Sequence, residues 1–311
     1  MIAARQTRAV TTRRAVRLTA PGGSAGLALE ELPLPQPGAG DVLVRVHAAG
    51  ITRDELTWPV DRLPAIPSYE LSGVVVAVGP GVDTPAVGDA VWALTPFDRD
   101  GMAADFALAP AAVLAPKPRR LGHTQCAAIP LAALSAWQGL FDHGRLQKGQ
   151  RVVIHGAGGG VGHFAVQLAR WRGAHVIGTA SPAGMAAARA SGAHEVLDRS
   201  KPIDSAGLGP VDLVFDTVGG TALSWAGDIV RPAGRIVSVA EQPPAQVNGI
   251  YFVVEPRREQ LEEIGRLVDA GTLEPVLDVV FPLADARAAF ERVSQPGKRG
   301  KVVLEVTDDE S

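Results

Sequence analysis

The chain has 311 residues, of which 46% are hydrophobic and 20% charged, and its formal net charge is −3 at pH 7. This composition is typical of a globular protein of about two domains, and it offers no basic surplus for nucleic acid or an anionic membrane surface. No run of about 20 apolar residues is present to span a membrane, and the N-terminus lacks a secretory signal. We therefore expect a cytoplasmic protein.

The N-terminal third of the chain has the pattern of a β-rich domain. Residues 1–12 carry arginines among small and polar residues and predict a flexible extension. From Ala15 to Val113, short apolar runs such as 42–46 and 73–78 alternate with turns rich in glycine and proline. Such punctuation is typical of an antiparallel, partly open barrel.

The middle of the chain alternates strand and helix patterns, beginning with a helix predicted over 127–140. Strands are predicted over 151–155, 175–179, 195–198, 212–216, 235–240 and 250–254. Six strands with helical crossovers indicate an open, doubly wound parallel sheet, whose ligand crevice lies at the carboxyl ends of the strands. Beyond Leu273, strands at 276–281 and 301–306 flank a helix at 283–293, and this tail is expected to rejoin the first domain.

A glycine-rich loop between the strand at 151–155 and the next helix is the most informative motif. Its members are Ala157, Gly158, Gly159, Gly160, Val161 and Gly162. Ala157, Gly159 and Gly162 occupy the three positions of the G-x-G-x-x-G pattern, with alanine in place of the first glycine. Because a helix N-terminus offers unpaired N–H groups to a pyrophosphate, the loop predicts a dinucleotide site. The alternative is a loop that serves only the packing of helix against strand.

The sequence also favours one of the two nicotinamide dinucleotides. An NAD site normally offers an acidic residue at the end of the second strand to the ribose 2′-hydroxyl. No acidic residue lies between Gly156 and His194. The second strand is followed instead by Ser181, and Arg199 after the third strand offers a positive charge, which together favour the 2′-phosphate of NADPH. The alternative for Arg199 is a solvated surface side chain.

These motifs resemble the medium-chain dehydrogenase/reductase superfamily, and within it the zinc-free quinone oxidoreductase branch. The supporting stretches are 67–75, 131–137, the glycine loop, 212–220, 232–237 and 300–304. The resemblance implies an α/β fold with a GroES-like β-rich catalytic domain built from 13–132 and 273–311. It also implies a Rossmann domain with a doubly wound parallel sheet over 133–272, NADPH between the domains, and a homodimer through the sheet edge at 250–254.

The resemblance further implies chemistry without a metal. Zinc-dependent members carry cysteine and histidine where this chain has Thr52 and Tyr69, and the single cysteine, Cys126, cannot build a structural zinc site. The expected reaction is hydride transfer to a quinone or to the β-carbon of an α,β-unsaturated carbonyl. Tyr69 would hydrogen-bond the substrate oxygen or donate the proton; the alternative is a phenol that fills the space of the missing metal. Glu70 is expected only to pair with a nearby cation.

Other candidate residues follow from the same resemblance. Thr52 and Ser135 match polar positions near the nicotinamide, and each has a structural role as its alternative. The remaining cofactor contacts are Thr217, Val239, Phe252 and Val253, the last two at the nicotinamide. Two other functions stay open at this point: a biosynthetic tailoring reductase with one dedicated substrate, and a non-catalytic NADPH-binding protein.

Overall fold

A computed structural model describes residues 11–58, 61–203, 205–223, 225–247 and 249–307. Most of the predicted N-terminal extension lies outside these residues. Its last residue, Thr12, is an exception, because it opens the first strand and pairs with Pro33. Thr12 therefore belongs to the folded domain and not to an extension.

The strands alternate with short helices in the second half of the described chain. In chain order the strands are β1 (Thr12–Leu18), β2 (Leu27–Pro33), β3 (Asp41–Ile51), β4 (Glu70–Val78), β5 (Ala90–Leu94), β6 (Phe106–Pro110), β7 (Ala115–Pro116), β8 (Arg151–His155), β9 (His175–Ala180), β10 (Glu195–Asp198), β11 (Val211–Asp216), β12 (Val230–Ser238), β13 (Ile250–Tyr251), β14 (Leu277–Pro282) and β15 (Lys301–Glu305). The α-helices are α1 (His123–Ala127), α2 (Pro130–Trp137), α3 (Gly162–Trp171), α4 (Met185–Ala190), α5 (Ser205–Leu208), α6 (Ala226–Ile229), α7 (Arg258–Asp269) and α8 (Ala286–Ser294).

Both ends of the chain contribute to one β-rich sheet. Its strand order is β14-β15-β3-β4-β5-β7, with β6 also paired to β3, while β1 and β2 form a separate antiparallel pair. β15 runs antiparallel to β3, so the C-terminal tail joins the N-terminal strands as predicted. β14 and β15 are parallel to each other. The domain boundaries after residues 132 and 272 stay a prediction.

The second sheet is parallel and has the order β10-β9-β8-β11-β12-β13. This is the doubly wound order, in which successive strands are added first to one side of β8 and then, from β11 onwards, to its other side. The six predicted strands are all present, but two differ by more than one residue: β12 runs over Val230–Ser238 instead of 235–240, and β13 ends at Tyr251 instead of residue 254. The predicted fold class is confirmed.

The prediction of one continuous helix over 127–140 is wrong, because three separate helical segments cover this stretch. α1 ends at Ala127, α2 begins at Pro130, and a π-helical turn follows at Gln138–His143. Proline has no N–H to donate to the preceding turn and fits best at the first helical position, so Pro130 starts a new helix. No described helix is long and apolar enough to cross a membrane.

One apolar core connects the two sheets. Tyr69 and Trp92 from the β-rich sheet belong to the same cluster of buried residues as Leu134 of α2, Ile154 of β8 and Ile264 of α7. Because interiors of this kind are close-packed, the two sheets hold each other in a fixed relation. The loop after β8 faces the β-rich domain, because a Cβ on Gly160 would lie 3.5 Å from the Gly300 carbonyl oxygen beside β15.

Candidate active site

The glycine loop turns sharply as it leaves β8. Gly156 has a φ of 76°, a left-handed conformation that glycine adopts without steric cost. The Ala157 N–H donates to the Thr179 carbonyl at 2.9 Å, and the Gly159 N–H donates back to the Gly156 carbonyl at 2.8 Å. The tight turn is thus made by Gly156, one residue before the first position of the predicted motif. Gly156 follows β8 directly, and this position in the sequence predicts a turn residue there.

Two further glycines of the loop are required by close backbone approach. A Cβ on Gly158 would overlap the Gly184 carbonyl oxygen, and a Cβ on Gly162 would overlap that of Gly156. α3 begins at Gly162, with Val161 as the residue that precedes its first turn. The first N–H groups of a helix lack partners within the helix, and its dipole is positive at that end. The loop therefore fits an anionic pyrophosphate.

Residues predicted to read the 2′-phosphate lie together. A cleft of about 530 Å³ at the carboxyl ends of β8, β9 and β10 is lined by Ser181 and Arg199, and also by Lys201. No acidic side chain is among its described lining residues. The adjacent carboxylate of Asp198 accepts hydrogen bonds from the Ser200 N–H at 2.9 Å and from its hydroxyl at 2.7 Å. Lys201 was missed by the sequence analysis, although it lies two residues after Arg199.

The ends of β11 and β12 flank the glycine loop. The Thr217 hydroxyl donates to the His155 carbonyl at 2.7 Å, and the Val239 N–H donates to the Asp216 carbonyl at 3.1 Å. Asp216 is fully buried; burial would raise its pKa, but the nearby His155 ring, 3.4 Å away, and the hydrogen bond from the Ser238 hydroxyl at 2.7 Å leave the pKa below its usual value. Thr217 and Val239 thus lie at the ends of β11 and β12, where Asp216 bonds both segments, and their contact with a cofactor stays a prediction.

Two residues predicted at the nicotinamide follow β13. Phe252 is buried, and its ring centroid lies 4.4 Å from that of His143 in the π-helical turn. Val253 exposes 58% of its surface. Both residues lie just beyond the end of β13, the last strand of the parallel sheet. Their contact with a cofactor stays a prediction.

Tyr69 is fully buried in an aromatic cluster. Its ring centroid lies 5.2 Å from Phe97 and 5.7 Å from Trp58. Arg62 donates to the phenol oxygen at 3.0 Å, and the same guanidinium also donates to the carbonyls of Phe97 and Arg99. Burial raises the pKa of Tyr69 to about 12. The phenol therefore keeps its proton at neutral pH, and no described residue accepts a hydrogen bond from it.

Thr52 lies beside a buried ion pair. Lys301 of β15 is paired with Glu70 of β4, and its ammonium also donates to the Thr52 hydroxyl at 3.2 Å. Glu70 additionally accepts a hydrogen bond from the Leu131 N–H at 2.9 Å. Glu70 thus pairs with a cation, as expected from the sequence. The partner is 231 positions away in the chain, and no local pattern could identify it.

Ser135 has a different environment from Tyr69 and Thr52, the other two candidate catalytic residues. It is buried within α2, and its hydroxyl donates to the Leu131 carbonyl one turn earlier, at 2.7 Å. Such a bond within a helix uses the only hydrogen of the hydroxyl. The geometry favours the structural alternative for Ser135.

The residues at the two zinc-ligand positions do not fit a zinc ion. The Thr52 hydroxyl is 3.2 Å from the Lys301 ammonium, and the Tyr69 phenol is 3.0 Å from the Arg62 guanidinium. A divalent cation at either oxygen would meet a positive charge already in contact with it. Among the described residues, no three His, Cys, Asp or Glu side chains are grouped to hold a metal ion.

Known proteins share this architecture over nearly the whole chain. Residues 38–119 match the alcohol dehydrogenase GroES-like domain, and residues 191–304 match a family described as zinc-binding dehydrogenase. The chain is 31% identical to a probable zinc-binding oxidoreductase, mitochondrial, of Arthroderma benhamiae, over 95% of this chain and 97% of that protein. It is 29% identical to a mitochondrial NAD(P)H oxidoreductase of Danio rerio, over 87% of this chain and 84% of that protein. The solved quinone oxidoreductase of Coxiella burnetii superposes with a TM-score of 0.88 at 29% identity, covering 95% and 99% of the two chains.

The chain therefore belongs to the medium-chain dehydrogenase/reductase superfamily, in its quinone oxidoreductase-like branch. It is an oxidoreductase with a GroES-like domain and a Rossmann-like domain, and these relatives support a nicotinamide cofactor and a small-molecule substrate. The superfamily identified from the sequence motifs is confirmed.

Proposed function

We propose that the chain is an NADPH-dependent, zinc-independent reductase that transfers a hydride to a quinone or to an α,β-unsaturated carbonyl. The observation that carries the proposal is the position of Lys301. Its Cδ lies 3.4 Å from the place a Cβ on Gly160 would occupy, while its ammonium contacts Thr52. One side chain thus spans from the cofactor loop to a candidate catalytic residue, so cofactor and acceptor would meet at this wall of the crevice.

Each part of the cofactor has residues suited to hold it. The N–H groups at 157–162 and the start of α3 suit the pyrophosphate. Ser181, Arg199 and Lys201 line a cleft with the hydroxyl and positive charges that a 2′-phosphate requires. When bound, the reduced nicotinamide supplies the hydride, which is the difficult part of the chemistry.

Activation of the acceptor is assigned to Tyr69. Arg62 donates to its phenol oxygen, which leaves the phenol hydrogen without a described acceptor. Because Tyr69 is fully buried beside Trp58 and Phe97, a carbonyl oxygen of the substrate reaches that hydrogen when one of these rings moves aside. A donor already held in place stabilises the negative charge that develops on that oxygen as the hydride arrives. The neighbouring guanidinium of Arg62 strengthens this effect, since a positive charge polarises the phenol.

The proposed dimer uses the edge of the parallel sheet. β13 is the last strand on that side. Ile250, Tyr251 and Val253 expose 36%, 42% and 58% of their surfaces there. An apolar edge strand with unpaired backbone groups is suited to pair with a second copy of itself. The cytoplasmic location stays a prediction, and the two relatives compared above are mitochondrial by name.

A panel of acceptors tests the proposed function. Purified protein is mixed with NADPH or NADH and with small quinones, enones and enals, and loss of the reduced cofactor is followed by absorbance. We expect NADPH to support reduction of quinones and enones at least about tenfold better in kcat/KM than NADH, which corresponds to about 1.4 kcal/mol at the 2′-phosphate. Turnover only with a larger dedicated substrate would favour the tailoring reductase. Tight NADPH binding with no acceptor reduced would favour the non-catalytic alternative.

A further inference from the structure

A buried group of charges lies behind Thr52. Its members are Thr52, Glu55, Glu70 and Lys301, and we refer to them as the buried charge cluster. Glu55, Glu70 and Lys301 expose 1%, 0% and 3% of their surfaces, whereas Thr52 is partly exposed. Thr52 is therefore the only member of the cluster that solvent reaches, and the Lys301 side chain that it contacts passes beside Gly160 of the cofactor loop.

The charges of the cluster do not balance when both acids are ionised. Two carboxylates and one ammonium would leave a net negative charge in a region closed to water, which is costly. Glu70 is the partner of Lys301. Glu55 has instead two backbone donors, the N–H groups of Thr52 and Ser68, both at 3.0 Å. Burial raises the pKa of Glu55 to about 8, and these hydrogen bonds and the Lys301 charge only partly oppose that rise.

A path for a proton leads from this cluster to the crevice. Lys301 donates to the Thr52 hydroxyl oxygen at 3.2 Å, so the Thr52 hydrogen points away from the ammonium. No described residue accepts that hydrogen. A hydroxyl that receives a hydrogen bond from an ammonium can give up its own proton and recover another from the same ammonium in one concerted movement.

We propose that Thr52 is the proton donor for acceptors that must be protonated on carbon, and that the Lys301 ammonium replaces the proton as it leaves. This assignment deepens the proposed function and rests on it. It makes Thr52 a catalytic residue and Lys301 the group that replaces its proton, while Glu70 holds Lys301 and Glu55 holds the Thr52 backbone.

The step balances for an enone. The substrate accepts a hydride at its β-carbon from the reduced nicotinamide, which is thereby oxidised, and the π electron pair moves towards the carbonyl oxygen to form an enolate. The α-carbon of the enolate then takes the proton of Thr52, while Thr52 takes one from Lys301. Lys301 regains its proton from water through the Thr52 hydroxyl after the product leaves, because Thr52 is the member of the cluster that solvent reaches. The net change is addition of one hydride and one proton across the C=C bond.

Quinones provide an internal contrast. After hydride transfer, a quinone becomes a hydroquinone anion whose oxygen can be protonated by water, and no proton has to reach a carbon atom. Loss of the Thr52 proton should therefore slow enone reduction more than quinone reduction. General acid catalysis of this kind contributes about 10²–10⁴-fold to a rate.

The first test compares Thr52→Val with Thr52→Ser. We expect Thr52→Val to lower the ratio of enone to quinone kcat at least about tenfold, and Thr52→Ser, which keeps the hydroxyl, to restore most of it. Thr57→Val is the matched control, because Thr57 is in the same segment but its hydroxyl is bonded to the Asp54 carbonyl at 2.7 Å. A parent protein that reduces neither acceptor contradicts the proposed function. A parent that reduces both, with the same ratio in Thr52→Val, contradicts the proton donor alone.

The second test is the pH dependence of enone turnover. Glu55 accepts the Thr52 N–H at 3.0 Å, and its carboxyl ionises above a pKa of about 8. The added negative charge makes Thr52 and Lys301 weaker proton donors, so kcat should fall as pH rises through that value. Arg53 and Lys298 are the other charged groups nearby, His163 is neutral, and burial lowers the pKa of Lys298 to about 8 as well. We expect the fall near pH 8 to disappear in Glu55→Gln and to persist in Lys298→Met. Its persistence in Glu55→Gln would overturn the influence of Glu55 on the proton donor.

Discussion

Ser68 shows how the candidate site is held at the scale of single residues. It has a φ of 70°, in the left-handed region that costs about 1–2 kcal/mol for a residue with a Cβ. Its hydroxyl donates to the Gly50 carbonyl at 2.7 Å, and its N–H donates to Glu55 at 3.0 Å. These bonds compensate the strain and fix the backbone directly before Tyr69. The backbone position of Tyr69 is therefore set by Gly50 of β3 and by Glu55 in the segment that follows it.

Removal of the Tyr69 hydroxyl is expected to affect both classes of acceptor. In Tyr69→Phe the ring still packs on Phe97 and Trp58, but the hydrogen bond to the substrate oxygen is lost. We expect kcat/KM to fall about 10–100-fold for quinones and enones alike, with NADPH affinity unchanged. Steady-state kinetics with one acceptor of each class measure this. The control is Tyr251→Phe, which removes the hydroxyl from the other tyrosine and should leave kcat/KM as in the parent. If kcat/KM is also unchanged in Tyr69→Phe, the phenol has only a structural role.

The sequence identified some of these residues and not others, for a physical reason. Ser181 and Arg199 could be predicted because adjacent parallel strands end at the same edge of a sheet, so their flanking residues meet. Glu55 could not, because a single acid in a loop is usually solvated, and its burial depends on how the long strands β3 and β4 pack around it. Ser135 had the right residue type, but the bond it makes inside α2 could not be read from spacing.

At the scale of elements, the glycine loop and the six parallel strands followed from sequence patterns, whereas their ends did not. The break at Pro130 could have been predicted from the chemistry of proline, but the apolar periodicity on both sides concealed it. β13 is shorter than predicted, since it ends at Tyr251; the Phe252 N–H still donates to the Ser238 carbonyl of β12 at 3.2 Å, and its ring lies against His143. Its exposed apolar side chains nevertheless remain on that edge.

A charged residue on β13 is expected to separate the proposed dimer. Tyr251→Asp places a negative charge next to its own copy across the two-fold axis, where like charges repel and lose water. We expect analytical ultracentrifugation to show a dimer for the parent and mainly monomer for the variant. Val87→Asp is the control, since Val87 is also exposed, at 61%, but lies in the β-rich domain. A parent that sediments as a monomer, or a variant that remains dimeric, contradicts the edge-strand interface.

At the scale of the whole molecule, the two domains meet at the cofactor loop. His163 of α3 donates from Nδ1 to the Gly159 carbonyl at 2.9 Å and accepts at Nε2 from the Val276 N–H at 3.1 Å. Burial lowers the pKa of His163 to about 4, so the ring is neutral and keeps both bonds at neutral pH. Together with Lys301, which bonds Thr52 and whose Cδ lies 3.4 Å from the place a Cβ on Gly160 would occupy, it ties the loop to the β-rich domain. The sequence indicated that the two domains are adjacent, but not the residues that join them.

Titration of reduced nicotinamide cofactors into the purified protein tests the central claim most directly. We expect calorimetry to give one site per chain with a Kd for NADPH at least about tenfold lower than for NADH. Gly158→Ala should lose this binding, because its Cβ would overlap the Gly184 carbonyl, while Gly38→Ala, whose Cβ would have nothing within 4 Å, should bind as the parent does. If neither NADPH nor NADH binds, or if Gly158→Ala binds NADPH as tightly as the parent does, a dinucleotide site at this loop is contradicted.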